Sequence, residues 1–169
     1  MNNFALIATA AVAAALTMPA AAQAMPVATC SSGQVQVGEA GSQAASSHLG
    51  LLLQFSLVPG AGQCSLTGYP GVDASGPDAP LLHAQRSMFG FMGGLKGATP
   101  PTVVVSPGQP AYALVEGRAV DAEGNDCPRY TDLHVTAPDT TDTVTLHDSV
   151  GCYVFVHPVG SPPPSPPIP

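Results

Sequence analysis

The four cysteines of the sequence, Cys30, Cys64, Cys127 and Cys152, are its first candidates for chemistry. No two of them have the C-x-x-C spacing of a zinc site, so the pattern does not favour a structural metal. An even number of cysteines in an exported chain predicts disulfide bonds, for which three connectivities are possible. We expect Cys30 to pair with Cys64 and Cys127 with Cys152, because this choice closes two short loops within the two halves of the chain.

Histidines are the second group with catalytic or metal-binding potential, and the sequence contains five of them. We expect these histidines to be polar residues at the rim of a sheet and expect no metal site. The alternative is a metal site at His134 and His147, which would lie on neighbouring strands if residues 133–136 and 143–147 form a hairpin. No motif in the sequence requires a cofactor, and we expect none.

Enzyme motifs with a defined spacing do not occur in the sequence. There is no G-x-S-x-G, no H-E-x-x-H and no phosphate-binding G-x-x-x-x-G-K-[ST]. The acidic residues at 121–126 lack the bidentate Glu of a calcium loop, and favour an Asx turn instead. We therefore predict a non-enzymatic protein; the alternative is a small exported metal-binding protein or enzyme that uses its surface histidines.

The segment at residues 87–97 is the candidate binding loop. It places Phe89, Phe91, Met92 and Leu95 among four glycines. Flexible apolar segments that contain methionine suit adaptable binding surfaces. The hypothesis is that this loop binds a hydrophobic ligand, a lipid or a partner protein. The alternative is that the segment folds over one open end of the sheets and plugs the core.

Short apolar or alternating segments separated by turn residues must position these side chains. The segments are 49–58, 102–106, 111–116, 133–136, 143–146 and 152–156, with shorter ones at 34–37, 69–72 and 80–85. Segment 49–58 is mostly apolar, which predicts a central strand. No part of the sequence after residue 24 has the 3.6-residue period of a helix. Short strands at this spacing predict an all-β protein, an antiparallel two-sheet immunoglobulin-like β-sandwich with two disulfides.

Two turns are predicted from proline and glycine. Pro107-Gly108 predicts a hairpin between strands 102–106 and 111–116. In the stretch from Tyr69 to Val72, Pro70 and Gly71 suit a type II turn in which Gly71 has a positive φ.

The two ends of the chain differ from its middle. Residues 4–18 are apolar and uncharged, and Ala22-Gln23-Ala24 follows, so residues 1–24 read as a signal peptide. That run is shorter than the roughly 20 residues that cross a bilayer, so no transmembrane span is expected. A lipid anchor on Cys30 is the alternative, although this cysteine lies well beyond the apolar run. We predict a β-sandwich domain over 25–158 and a disordered Pro-rich tail over 159–169.

Charge excludes one class of partner. The formal net charge is −7, and the 4 basic residues are scattered along the chain. Nucleic-acid binding needs clustered Lys and Arg, so a nucleic-acid partner is not expected. We expect a secreted protein, with cell-wall association as an option, whose partner is a protein or an envelope component.

One string of residues resembles a known family. The sequence Cys-Ser-Leu-Thr-Gly-Tyr-Pro-Gly-Val at 64–72, with the strand at 49–58 before it and Val-Ser-Pro-Gly-Gln-Pro-Ala-Tyr-Ala at 105–113 after it, resembles the actinobacterial secreted and lipoprotein domains known as domain of unknown function 4232. The resemblance covers about residues 30–158. It implies an immunoglobulin-like sandwich, four paired cysteines and export, and it supplies no activity or catalytic residue.

Overall fold

The computed structural model describes residues 26–77, 79–94, 97 and 99–160. The predicted signal peptide, residues 161–169 of the predicted tail and Leu95 lie outside these residues. The described chain is all-β and contains no helix. Its eleven strands are β1 (Val35–Ala45), β2 (His48–Leu57), β3 (Cys64–Thr67), β4 (Gly71–Gly76), β5 (Ala79–His83), β6 (Gln85–Arg86), β7 (Thr102–Val105), β8 (Ala111–Arg118), β9 (Asp132–Thr136), β10 (Thr143–Leu146) and β11 (Cys152–Val156).

These strands form three sheets, where the sequence predicted two. Their strand orders are β1-β2-β8-β11-β6, β10-β9-β4-β5 and β3-β7. All ladders are antiparallel except the short pairing of β6 with β11. The all-β class and the antiparallel sheets are therefore confirmed.

One hydrophobic core is shared by all three sheets. On β2, Leu51, Leu53 and Phe55 alternate with less buried residues and point into this core. The four-stranded sheet contributes Leu133 among others, and the two-stranded sheet contributes Leu66. Alternation of period two is what buries one face of each sheet, because successive side chains of a strand point to opposite faces. As predicted, β2 is a central strand, with β1 on one side and β8 on the other.

Both predicted disulfides are present. Cys30 is bonded to Cys64 and Cys127 to Cys152, with Cα–Cα distances of 4.8 and 5.5 Å. The first pair lies in the core, and the second is half-buried near one end of β11.

The predicted hairpin around Pro107-Gly108 is wrong in its pairing. The turn exists, since Ser106 and Gln109 exchange backbone hydrogen bonds of 2.9 and 3.1 Å. However, β7 pairs with β3, whereas β8 pairs with β2 and β11. β8 is buried over most of its length and has a neighbour on each side, so neither edge is left for β7. The turn reverses the chain direction, but the strands that β7 and β8 pair with are set by how β8 is buried within its sheet.

The type II turn predicted at Tyr69 to Val72 is also wrong. The positive φ, 95°, belongs to Gly68. Gly71 instead begins β4 and pairs with Thr136 of β9, which requires extended backbone. Tyr69 is half-buried, and the guanidinium carbon of Arg86 lies 6.0 Å from the centroid of its ring.

The described fold continues through Gly160, past the predicted domain end at 158. Val159 is fully buried, and its N–H donates to the Gly68 carbonyl at 2.9 Å. Gly160 and Tyr112 exchange backbone hydrogen bonds of 2.7 and 3.0 Å. These two residues therefore belong to the packed structure.

Candidate functional site

A buried carboxylate on β8 holds the described part of the candidate binding loop. Glu116 is 3% exposed and points to residues 87–94, which we call the Phe segment. The backbone N–H of Phe91 donates to Glu116 Oε1 at 2.9 Å, and that of Met92 donates to Oε2 at 3.0 Å. A charged acceptor strengthens such hydrogen bonds, so the carboxylate fixes the middle of the Phe segment to the sheet.

Two histidines contact the same carboxylate. His48 Nδ1 lies 3.2 Å from Glu116 Oε1, and His157 Nε2 lies 3.4 Å from Oε2. His157 also contacts the start of the Phe segment, since its Nδ1 lies 2.9 Å from the Ser87 carbonyl oxygen. One carboxylate therefore joins β2, β8, the chain after β11 and the Phe segment.

Two glycines allow this close approach. Gly50 pairs with Glu116 across β2 and β8, and a Cβ at Gly50 would lie 3.2 Å from the sulfur of Met92. A Cβ at Gly90 would lie 2.2 Å from Glu116 Oε2 and 2.6 Å from the His157 ring. A side chain at Gly90 would therefore displace either the carboxylate or the Phe segment.

The side chains of the Phe segment point in two directions. Met92 is buried, whereas Phe89 and Phe91 are 67% and 58% exposed. The Phe91 ring stacks on His48, with centroids 4.0 Å apart and an interplanar angle of 14°. The segment thus places one of its candidate residues inside the protein and presents both phenylalanines to solvent.

The candidate metal ligands His134 and His147 lie on the predicted hairpin. β9 and β10 pair with Leu133 opposite Leu146, so this hairpin is confirmed. The two nitrogens of His134 lie 2.9 Å from Ser75 Oγ and 3.1 Å from Thr145 Oγ1. Each nitrogen of His134 therefore already has a protein partner. Within the described residues, no three His, Cys, Asp or Glu side chains are close enough to hold a metal ion.

His147 is paired with a carboxylate at the protein surface. Its Nδ1 lies 2.6 Å from Asp132 Oδ1. Hydrogen bonds from Thr131 and then from His147 hold the pKa of Asp132 below its usual range. A surface depression of about 480 Å³ adjoins this pair and is lined by Arg129, Tyr130, Thr131, His147, Asp148 and Ser149.

The acidic turn at 121–126 is an Asx turn, as predicted. The Asp121 carboxylate accepts the backbone N–H of Glu123 at 3.0 Å and that of Asn125 at 2.8 Å. The Asn125 side chain also donates to it, and is the main reason that the pKa of Asp121 lies below its usual value.

Glu116 belongs to no catalytic or metal-binding motif, so the sequence alone did not single it out. Its signal in the sequence is that it is the only acid in the otherwise apolar stretch Ala111–Gly117. A lone acid in a strand buried on both faces needs partners, because burying an unpaired charge is costly.

Comparison with known proteins gives a family but no relative of established activity. No curated protein and no solved structure matches the chain. The described residues include no helix that is both long and apolar enough to cross a membrane. The family model described as "Domain of unknown function (DUF4232)" matches residues 30–162, which is most of the sequence, and the chain therefore belongs to this family.

Proposed function

We propose that this protein is an exported, non-enzymatic module that binds a partner protein through Phe89 and Phe91. The observation that carries the proposal is that two large aromatic side chains are exposed on a segment whose backbone is held by a buried carboxylate. Aromatic residues are the side chains that contribute most to protein interfaces. Because the backbone is already fixed, binding would cost less conformational entropy than it would for a free loop.

The charge of the molecule favours a protein as the occupant of this surface. With a net charge of −7, the chain would be repelled by anionic lipid headgroups and by nucleic acid. An apolar patch on a neutral or basic envelope protein fits both the phenylalanines and the overall charge.

Export is supported by the ends and the cysteines of the chain. The first 24 residues read as a signal peptide, and all four cysteines of the described chain form disulfides, which persist in oxidising compartments. The resemblance to actinobacterial secreted domains fits the same location. The three sheets around one core also fit the proposed immunoglobulin-like sandwich. The Pro-rich residues 161–169 would then serve as a spacer at the cell wall.

A second candidate function is metal binding or catalysis at the surface histidines. The observation in its favour is the His147–Asp132 contact, because a carboxylate that orients an imidazole is a feature of general bases. Native mass spectrometry of protein purified without added metal tests this candidate. Extra mass that wild type carries in the native state and loses on denaturation, and that H147A lacks, would support the metal site over the binding module.

Serine substitutions of both phenylalanines test the binding module. F89S/F91S is expected to lower the thermal midpoint only slightly, because both rings lie mostly in solvent and only the stacking of Phe91 on His48 is lost. Proteins retained from the envelope fraction of the host by wild type should be lost with F89S/F91S and kept with L81S. Leu81, on β5, is a matched control because it is 57% exposed. A large loss of thermal stability in F89S/F91S would instead show that the segment plugs the core.

A further inference from the structure

We propose that the Phe segment is held by a pH-dependent latch, in which a doubly protonated His157 joins Ser87 to Glu116. The latch consists of His157, the Glu116 carboxylate, the Ser87 carbonyl, and the N–H groups of Phe91 and Met92. The latch is inferred from the contacts of His157 with Ser87 and Glu116. The effect of the latch on partner binding rests on the proposed function.

The two partners of His157 are both acceptors. Its Nδ1 lies 2.9 Å from the carbonyl oxygen of Ser87, which can only accept. Its Nε2 lies 3.4 Å from Oε2 of Glu116, which already accepts from Met92. A neutral imidazole has one N–H, so it satisfies only one of these two oxygens, whereas the imidazolium form satisfies both. His157 is 2% exposed, so water does not readily replace a missing partner.

Three other titratable or charged side chains lie on the strands next to the latch. From β2, His48 faces Glu116 with Nδ1 alone, which a neutral imidazole can supply. From β8, Arg118 follows Glu116 by two residues on the same face of the strand. From β6, Arg86 lies over the ring of Tyr69. Residues 87–94 contain no titratable side chain.

Raising the pH would therefore open the latch. A rise in pH removes the second proton of an imidazolium. Once His157 is neutral, it donates to only one of its two partners, so either the Ser87 carbonyl or the Glu116 carboxylate loses the hydrogen bond from His157. The Phe segment then loosens, and Phe89 and Phe91 lose their fixed orientation. At mildly acidic pH the latch is closed and the aromatic surface is preorganised for its partner.

Hydrogen exchange of the Phe91 and Met92 amides reads the latch directly, because both amides donate to Glu116. Exchange is followed by NMR on the full chain from pH 5.5 to 8 and normalised to intrinsic rates. Protection of both amides should fall by at least about tenfold as His157 loses its proton, which is the size expected for losing a hydrogen bond to a charged group. The His157 ring shifts, recorded in the same samples, should give the same midpoint. Protection that stays constant while His157 titrates would overturn the proposal.

Two variants complete the test. H157N keeps a donor near the Nδ1 position and cannot gain a proton, so it should remove the pH dependence of protection. H83N, on exposed β5, should leave that dependence as in wild type. If H157N does not fold, NMR of the His157 ring nitrogens in wild type provides the test. Protons on both nitrogens at pH 6 would support the latch, and a neutral ring would contradict it. If amide protection depends on pH as described but F89S/F91S does not change partner binding, only the proposed function is refuted and the latch stands.

Discussion

Glu116 shows how one buried acid can organise a surface. Each of its two oxygens has one backbone N–H and one imidazole nitrogen as neighbours, at 2.9 to 3.4 Å. A buried carboxylate is stable only when it is paired and hydrogen-bonded. Glu116 therefore needs the donors of the Phe segment and of the two histidines, and the Phe segment in turn is held by Glu116.

Replacing Glu116 by alanine should destabilise the protein strongly. E116A leaves the Phe91 and Met92 amides and the Nε2 of His157 without their acceptor inside the protein. Removing one partner of a buried pair typically costs about 3–5 kcal/mol of unfolding free energy. Chemical denaturation measures the loss, with E123A as the control because Glu123 is exposed. A loss in E116A no larger than that in E123A would show that the carboxylate does not hold the segment.

Asp132 should contribute to the acid sensitivity of the fold. Hydrogen bonds from Thr131 and His147 depress the pKa of Asp132 in the folded protein relative to the unfolded chain. Its contribution is therefore present above the unfolded pKa, near pH 4, and is lost as the pH falls through the lower folded value. The unfolding free energy measured between pH 6 and 2 should show a smaller acid loss in D132N than in wild type. Identical pH profiles would contradict the assignment.

At the scale of elements, the sequence predicted where several strands lie but not which strands pair. The alternation of β9, β10 and β11 and the apolar run of β2 correspond to real strands, because burial of one face leaves a period-two signal. The partners of β7 and β8 were not predictable in the same way, since pairing depends on which edges remain free after long-range packing. The role of Glu116 was equally hidden, because its partners lie on β2, after β11 and in the Phe segment.

Adding one methyl group at Gly90 should move the Phe segment and spare the sheets. In G90A the new Cβ would lie 2.2 Å from Glu116 Oε2, so the segment must shift away. We expect a loss of about 1–3 kcal/mol, typical of overpacking, and rapid exchange of the Phe91 and Met92 amides. G38A on β1 is the control, because a Cβ there meets nothing within 4 Å. Wild-type exchange at both amides in G90A would mean that the segment does not rest on Glu116.

At the scale of the whole molecule, two covalent links each join a residue outside the strands, Cys30 or Cys127, to a strand that is distant in sequence, β3 or β11. Cys30–Cys64 closes a separation of 34 residues and Cys127–Cys152 one of 25. By the chain-entropy estimate, each link contributes roughly 3–4 kcal/mol to stability. This contribution is substantial beside the roughly 5–15 kcal/mol of a typical domain.

The two disulfides should differ in their accessibility to reductant. Cys30 and Cys64 are both in the core, whereas Cys127 and Cys152 are half-buried. Mild reduction of the native protein followed by alkylation should label Cys127 and Cys152 first, because thiol–disulfide exchange requires access to a sulfur atom. Peptide mass spectrometry identifies the labelled cysteines. Earlier labelling of Cys30 and Cys64 would contradict the burial of that pair.

Photocrosslinking from the phenylalanine positions tests the central claim most directly. A photoreactive phenylalanine analogue is placed at position 89, 91 or 81 and activated in cultures of the host. The binding module predicts that positions 89 and 91 trap the same protein, that position 81 does not, and that F89S/F91S lowers the affinity of the purified pair at least about tenfold, as expected for a pair of interface aromatics. Equal trapping from all three positions, or an affinity unchanged in F89S/F91S, would contradict the claim that Phe89 and Phe91 form the binding surface.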